Sequence, residues 1–159
     1  MVKTILLIGN CGSGKTWCMI NLIKKLELNT KARIGKVIFQ TDGIVSVLGN
    51  YEGSTFQGSD KLSMSVMTDF AILRKMQKKN SMNVICEGDR FMNKKFISMF
   101  QPIVVKITDD GENGRSLRGS SQSTRQIKSI KTRVENTTFN KAAKNSSEAL
   151  EMIIDLLNE

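Results

Sequence analysis

The chain has few of the residues that interrupt or cross-link a fold. It contains one proline and three cysteines, and 40% of its residues are hydrophobic. Cys11, Cys18 and Cys86 are odd in number and widely spaced, which excludes a disulfide framework and a zinc-binding pattern. We therefore expect reduced thiols in a cytoplasmic protein, and one globular domain spanning residues 1–159.

Long apolar runs are also missing. No run approaches the roughly 20 residues that cross a bilayer, and the first apolar segment, VKTILLIG, is too short for a span or a signal peptide. We expect neither a membrane segment nor a signal peptide.

Acidic residues are absent from one strongly basic stretch. Between residues 115 and 133 the basic residues are Arg115, Arg118, Arg125, Lys128, Lys131 and Arg133. With a net charge of +9, this favours an anionic partner such as nucleic acid, although enzymes of small phosphorylated substrates are often basic too. Aromatic residues are missing from the same stretch, so it offers no stacking platform for single strands. Tyr51 and Phe56 stand in the glycine-rich loop at residues 49–60 and could stack on a base. They are better explained by packing that loop onto the core.

Strand-like and helix-like segments alternate along the chain. The apolar runs KTILLI, NVICE and IVVKI predict core strands, and KTWCMINLIKKLEL predicts an amphipathic helix. Further helices are predicted from Ser59 or Asp60, at NKKFISMFQ, at TRQIKSIKTRV, and from a cap at Ser146 or Ser147. KVIFQ and IVSVL, joined by an Asp-Gly turn, predict a β-hairpin. The segment from 136 to 145 stays open between strand, loop and disorder.

Residues 9–16, GNCGSGKT, fit the pattern G-x-x-x-x-G-K-[ST] with a predicted strand before and a helix after. In this motif, glycines let backbone N–H groups face one phosphate, at the positive end of the helix. The lysine reaches the β- and γ-phosphates and the Thr hydroxyl ligates Mg²⁺. The predicted ATP-binding residues are Gly9, Asn10, Cys11, Gly12, Ser13, Gly14, Lys15 and Thr16.

The class of nucleotide-binding protein follows from size and from a missing motif. A guanine-reading Asn-Lys-x-Asp segment is absent, which argues against a GTPase switch, and motor or AAA-type ATPases are usually much larger. A small chain with a basic flap suits a kinase, because a flap can close over the transferred phosphate. The expected fold is α/β, a P-loop NTPase kinase-like three-layer sandwich with a mainly parallel sheet, an added β-hairpin and a mobile basic lid at about 110–133.

Four carboxylates are candidates for the acceptor side. A kinase of hydroxyl groups benefits from a base near the attacking oxygen. Asp42 is explained by the hairpin turn, and Asp60 by helix capping as readily as by catalysis. Glu87 ends a core strand, where a carboxylate that binds Mg²⁺ with Thr16 would stand. Asp89 follows at the carboxyl end of that strand, where α/β sheets bind ligands.

Three further segments, VLGNYEGSTFQGSDKLSM, VICEGDRFMNKKF and RGSSQSTRQIKSIKTRVEN, resemble successive motifs of phage P-loop kinases that act on modified DNA. These are the 5-hydroxymethyluracil DNA kinases of thymidine hypermodification. The resemblance covers most of residues 3–137. Lys61 stands where arginine is more usual, which keeps the charge.

The resemblance implies transfer of the ATP γ-phosphate to the 5-hydroxymethyl oxygen of a base in DNA, in the cytoplasm of a phage-infected host. Other DNA-hypermodification enzymes would then be further partners, and the modified genome would resist restriction. The implied general base is Asp60 first and Asp89 second, and Arg118 and Arg125 close onto the phosphates. The implied DNA contacts are Lys61, Arg90, Lys128, Lys131 and Arg133.

Three other functions use the same residues. A kinase of a free nucleotide or nucleoside needs the same loop and carboxylates but a closed acceptor pocket. A polynucleotide 5′-kinase shares DNA as a substrate. A module that clamps DNA in response to ATP would bind DNA without transferring phosphate.

Overall fold

The structure is a computed structural model that describes residues 2–51, 67–112, 114 and 123–159. Within these ranges the chain forms seven strands, five α-helices and a single 3-10 turn at Asp89–Phe91. The strands are β1 (Thr4–Ile8), β2 (Thr30–Ile34), β3 (Val37–Thr41), β4 (Val45–Leu48), β5 (Asn83–Glu87), β6 (Ile103–Ile107) and β7 (Lys141–Ala143). The helices are α1 (Lys15–Lys25), α2 (Met67–Asn80), α3 (Lys94–Phe100), α4 (Thr124–Asn136) and α5 (Ser146–Asn158).

All seven strands belong to one sheet in the order β2-β3-β4-β5-β1-β6-β7. The central strands β4, β5, β1, β6 and β7 pair in parallel, and β2 and β3 extend the sheet by antiparallel pairing. The predicted α/β class, the mainly parallel sheet and the β3–β4 hairpin are thereby confirmed. Because β1 lies between β5 and β6, the segments that follow these three strands meet at one edge of the sheet, here called the carboxyl edge.

Helices cover the sheet on both faces. Ile5 and Leu7 of β1 point into an apolar cluster with α1 and α5, whereas Leu6 and Ile8 point into a second cluster with α2, α3 and α4. This alternation follows from the two-residue period of a strand, and burial on both faces explains why β1 is continuously apolar. The resulting layers are compatible with a three-layer sandwich.

Several local features differ from the sequence-based expectation. The segment TKARI, for which no strand was expected, is the edge strand β2. The open segment 136–145 contains β7, parallel to β6. The N-cap of α5 is Asn145, not Ser146 or Ser147, and its side chain accepts a hydrogen bond from the backbone N–H of Glu148. Three good capping residues stand in a row here, so composition alone could not choose between them.

Two predicted helices need further comment. Residues 52–66 lie outside the described part of the chain, so the predicted helix start at Ser59 or Asp60 is untested. The predicted lid at 110–133 is partly helical, because its residues from 124 onward belong to α4. Ser123 and Gln126 form a capping box at the start of α4, and Val134 buries its last turn.

Candidate functional site

Residues 9–14, here called the glycine loop, join β1 to α1 at the carboxyl edge. Gly14 is the N-cap of α1, with a left-handed backbone (φ 97°, ψ 20°) and no side chain with which to cap the helix. A Cβ at this position would lie 2.7 Å from the Cβ of Ser146. Glycine is therefore required by both backbone and space, and no side chain caps the first N–H groups of α1.

Two polar atoms of the glycine loop are buried without a partner. The Ser13 hydroxyl and the Asn10 amide oxygen have no hydrogen-bond partner among the described residues, and Ser13 is 5% exposed. Leaving such a group unsatisfied costs about 1–3 kcal/mol. A bound anion would accept a hydrogen bond from Ser13, whereas the Asn10 oxygen requires a donor. The loop therefore fits a ligand that carries an anionic group and also offers a donor.

Lys15 closes over the glycine loop. Its ammonium donates hydrogen bonds to the carbonyl oxygens of Gly9 (2.8 Å) and Asn10 (3.0 Å). The positive charge that the sequence motif predicted for this position is thus held at the loop.

A segment from beyond β6 also touches the loop. Gly114 packs so closely on Gly12 that a Cβ built on Gly114 would overlap the Gly12 carbonyl oxygen. The start of the predicted lid thus contacts the glycine loop, whereas residues 113 and 115–122, including Arg118, lie outside the described residues.

Glu87 places a buried carboxylate beside the loop. It is the last residue of β5, in register with Leu7 of β1, and 4% exposed. The Tyr51 hydroxyl donates a hydrogen bond to Glu87 Oε1 at 3.1 Å. A buried carboxylate calls for cationic or hydrogen-bonding partners. The role of Glu87 as a metal ligand stays a prediction.

Two of the three cysteine thiols, Cys18 and Cys86, have raised pKa values. Burial first, and the Glu87 charge second, raise the pKa of Cys18 to about 12 and that of Cys86 well above its usual value. Cys11 is buried too, and none of the three cysteines forms a disulfide. The raised pKa values favour the protonated thiol, which is a weaker nucleophile and metal ligand than the thiolate.

The described residues supply only part of the coordination that a magnesium ion needs. No group of three or more Cys, Asp or Glu side chains able to hold a metal occurs in the described ranges. Mg²⁺ usually takes one or two carboxylates, phosphate oxygens and several waters, so a dedicated cage is not required. Glu87 and the half-buried Thr16 are the residues here that would hold it.

The Tyr51 contact could not be read from sequence. Packing, the role expected for Tyr51, is confirmed, since it is 7% exposed. Its hydrogen bond to Glu87 arises because β4 is the neighbour of β5, so the residues that follow β4 reach the same edge. That neighbourhood is tertiary information. Phe56 lies outside the described residues.

Asp89 and Arg133 meet in an ion pair. Arg133 of α4 donates from Nη1 to Asp89 Oδ1, just after β5. The side chains are 49% and 39% exposed, so this pair contributes about 0–1 kcal/mol and can open. The guanidinium occupies one of the two carboxylate oxygens of Asp89, Oδ1. The ion pair therefore joins a candidate base, Asp89, to a candidate DNA contact, Arg133.

The remaining predicted residues are placed as follows. Arg125, Lys128 and Lys131 are exposed on α4, whereas Ile130 and Val134 of the same helix pack in the second apolar cluster. Arg90 lies in the 3-10 turn beside Asp89. Asp60 and Lys61 lie outside the described residues.

Comparison with known proteins adds no identity. No family model, curated protein or solved structure matches this chain. In the described ranges, none of the helices has the length and apolarity needed to cross a membrane.

Proposed function

We propose that this protein is an ATP-dependent kinase, and that its acceptor is the 5-hydroxymethyl group of 5-hydroxymethyluracil in DNA. The observation that carries the kinase assignment is the buried hydroxyl of Ser13, in a loop closed by Lys15. This hydroxyl has no hydrogen-bond partner among the described residues. The buried carboxylate of Glu87 stands one strand away. A cation-closed loop beside a buried acid suits a magnesium–triphosphate ligand.

The chemistry assigns a step to each group. The hydroxymethyl oxygen attacks the γ-phosphorus, the bond from that phosphorus to the β–γ bridging oxygen breaks, and ADP leaves. The hydroxyl proton passes to a carboxylate, either Asp60 or, after Arg133 moves aside, Asp89. Lys15, Ser13 and the first N–H groups of α1 hold the phosphates. Mg²⁺, held by Thr16 and Glu87 directly or through water, would supply charge neutralisation.

The DNA acceptor is supported by sequence and charge. The segment VICEGDRFMNKKF, which resembles the hypermodification kinases, runs from β5 into α3 and brings Glu87, Asp89 and Arg90 to the carboxyl edge. Exposed basic residues of α4 lie nearby. A 5-substituent of a pyrimidine is exposed in the major groove, so base flipping is not required by reach. The product, a 5-phosphomethyl base, would serve other hypermodification enzymes in the cytoplasm of the host and help a phage genome to resist restriction.

Transfer of labelled phosphate tests this proposal directly. With γ-labelled ATP and Mg²⁺, we expect label on the base of DNA containing 5-hydroxymethyluracil. Matched thymine DNA and free 5-hydroxymethyl-dUMP should stay unlabelled. Digestion to nucleosides locates the label.

Each other outcome points elsewhere. Label on the free nucleotide would indicate an ordinary nucleotide kinase, and label on 5′ ends of either DNA would indicate a polynucleotide kinase. ATP-dependent DNA binding with no label anywhere would indicate a non-catalytic module.

Gly88, between the two carboxylates, offers a test of site geometry. Its backbone angles, φ 97° and ψ −171°, belong to a region that is essentially restricted to glycine. We expect Gly88→Ala to lower the free energy of unfolding by about 1–3 kcal/mol and to reduce phosphoryl transfer, because Glu87 and Asp89 shift. Urea unfolding and the labelling assay measure the two effects.

Gly43 provides the matched control for Gly88. It has φ +92° in the turn at the opposite edge of the sheet, with open space around its Cβ position. Gly43→Ala should lower stability while the remaining folded protein keeps its transfer rate. Equal transfer by both variants would show that the backbone at Gly88 does not set the site.

A further inference from the structure

We propose that the turn between β2 and β3 is a second DNA-binding surface, at which Arg33 and Lys36 contact the phosphate backbone. This surface, here called the outer turn, consists of residues 33–36. The inference rests on the proposed function, since it takes the DNA substrate as the ligand. It involves a strand that lies outside the phosphate motif and outside the three segments that carry the family resemblance.

The position of the outer turn follows from the strand directions. β4 is parallel to β5, β3 is antiparallel to β4, and β2 is antiparallel to β3. The β2–β3 connection therefore lies at the carboxyl edge, the same edge as the glycine loop and Glu87. The opposite edge carries the β3–β4 turn.

The distance suits a DNA duplex. Four strand spacings separate β2 from β1 in the sheet order, and at about 4.8 Å each they amount to about 19 Å. Duplex DNA rises about 3.4 Å per base pair, so this separation corresponds to about six base pairs. A duplex with its modified base at the glycine loop could thus reach the outer turn with its backbone.

The side chains of β2 divide by face. Ala32 and Ile34 pack against the second apolar cluster, whereas Lys31 and Arg33 alternate with them and are exposed. Lys36 is exposed as well. Lysine on an edge strand also discourages sheet-to-sheet aggregation. That role requires no location beside the site, whereas Arg33 and Lys36 stand at the carboxyl edge.

The outer turn is fixed to the rest of the molecule. Asp69 of α2 accepts a hydrogen bond from the backbone N–H of Lys36 at 2.9 Å. The same carboxylate lies so close to Gly35 that a Cβ there would overlap it. The Asp69 carboxylate accepts a hydrogen bond from the backbone and therefore holds the outer turn in place. The basic side chains of the turn are thus presented from a rigid support.

Helix α4 carries another basic surface, on the other side of the glycine loop from the outer turn. Helix α4 leads into β7, which lies beyond β6, on the opposite side of β1 from the outer turn. Arg133 brings α4 to the carboxyl edge through Asp89. Exposed cations on α4 and at the outer turn therefore flank the proposed transfer site. An extended polyanion such as DNA can contact both, whereas a free nucleotide cannot.

The test is salt-dependent binding of a fluorescent duplex of about 20 base pairs that contains 5-hydroxymethyluracil. We expect Arg33→Glu with Lys36→Glu to weaken binding at least about tenfold. The slope of log affinity against log salt should become shallower by about two, since each phosphate contact contributes about 0.9. The control, Lys78→Glu with Lys79→Glu, makes the same charge change in the last turn of α2, which leads to the amino end of β5. It should bind almost as wild type.

A milder pair, Arg33→Ala with Lys36→Ala, guards against misfolding, because exposed substitutions usually change stability by less than about 0.5 kcal/mol. It should lose affinity in the same direction. Equal losses in the outer-turn and control variants would overturn the inference, since they would reflect net charge alone. Unchanged binding by both outer-turn variants would overturn it as well.

The outcomes separate this inference from the proposed function. If wild type binds and phosphorylates DNA but the outer-turn variants bind equally, the inference fails and the kinase assignment stands. If binding depends on the outer turn but no label reaches DNA, the proposed function fails alone. If wild type binds no DNA and labels a free nucleotide, both fail.

Discussion

Replacement of Glu87 by glutamine is expected to reduce phosphoryl transfer by about 10²–10³-fold and to leave the fold intact. Glutamine matches the shape of glutamate and keeps an oxygen that can accept the Tyr51 hydrogen bond of 3.1 Å. It removes the negative charge that would hold Mg²⁺ against the phosphates. The labelling assay over a range of Mg²⁺ concentrations measures the loss.

Stability distinguishes this role from a structural one. Removal of a buried charge that keeps its hydrogen bond should leave the free energy of unfolding unchanged or increased. Tyr51→Phe makes the complementary change: it keeps the charge and deletes the hydroxyl donor. We expect it to lower the free energy of unfolding by about 1–3 kcal/mol and to leave most of the transfer activity in place.

The two variants therefore have opposite signatures. If Glu87→Gln transferred phosphate at the wild-type rate, Glu87 would not be the metal ligand. If it instead lost several kcal/mol of stability, the carboxylate would serve the fold, and its loss of activity would carry no mechanistic meaning. Urea unfolding at neutral pH, performed on both variants, decides between these cases.

The parts of the fold that could be predicted are those in which local pattern and burial agree. β1 is apolar at every interior position because helices cover both of its faces, so its composition alone indicates a core strand. β2 has the opposite character. Its sequence TKARI exposes Thr30, Lys31 and Arg33, and it is a strand because β3 pairs with it. Propensity cannot reveal a strand whose stability comes from a neighbour.

The candidate site shows the same difference between contacts that are local in sequence and contacts that depend on the fold. The glycine loop and Lys15 are contiguous in sequence, so their meeting follows from one strand–loop–helix unit. The Asp89–Arg133 ion pair joins residues 44 positions apart, and the Tyr51–Glu87 hydrogen bond joins residues 36 apart. These contacts depend on strand order and on where α4 packs. Trp17 lies in the predicted amphipathic helix KTWCMINLIKKLEL and is apolar, yet it is 46% exposed, so apolar character alone does not identify the buried face of α1.

Exposure makes Trp17 useful for the second large prediction, which concerns Lys15. We expect Lys15→Met to lower phosphoryl transfer by about 10²–10³-fold, because the ammonium that would stabilise charge on the transferred group is lost. Methionine keeps an unbranched stem and therefore much of the packing. The two hydrogen bonds to the carbonyl oxygens of Gly9 and Asn10 are lost as well.

Lys24→Met is the matched control, since Lys24 is exposed in the last turn of the same helix and undergoes the same change in charge. Trp17 is the single tryptophan of the chain and the third residue of α1, next to Thr16. Its fluorescence should therefore report nucleotide binding in wild type and in both variants. Titration with ATP and Mg²⁺ separates loss of binding from loss of the chemical step.

The expected pattern is a fluorescence response in all three proteins, weaker for Lys15→Met, with transfer lost in that variant alone. An interaction that is stronger in the transition state than in the bound substrate lowers the rate more than it lowers affinity. If the affinity and rate of Lys15→Met fell equally, Lys15 would act by holding ATP in place. If neither fell, the glycine loop would not be the phosphate site, and a kinase built around Ser13 and Glu87 would have to be abandoned.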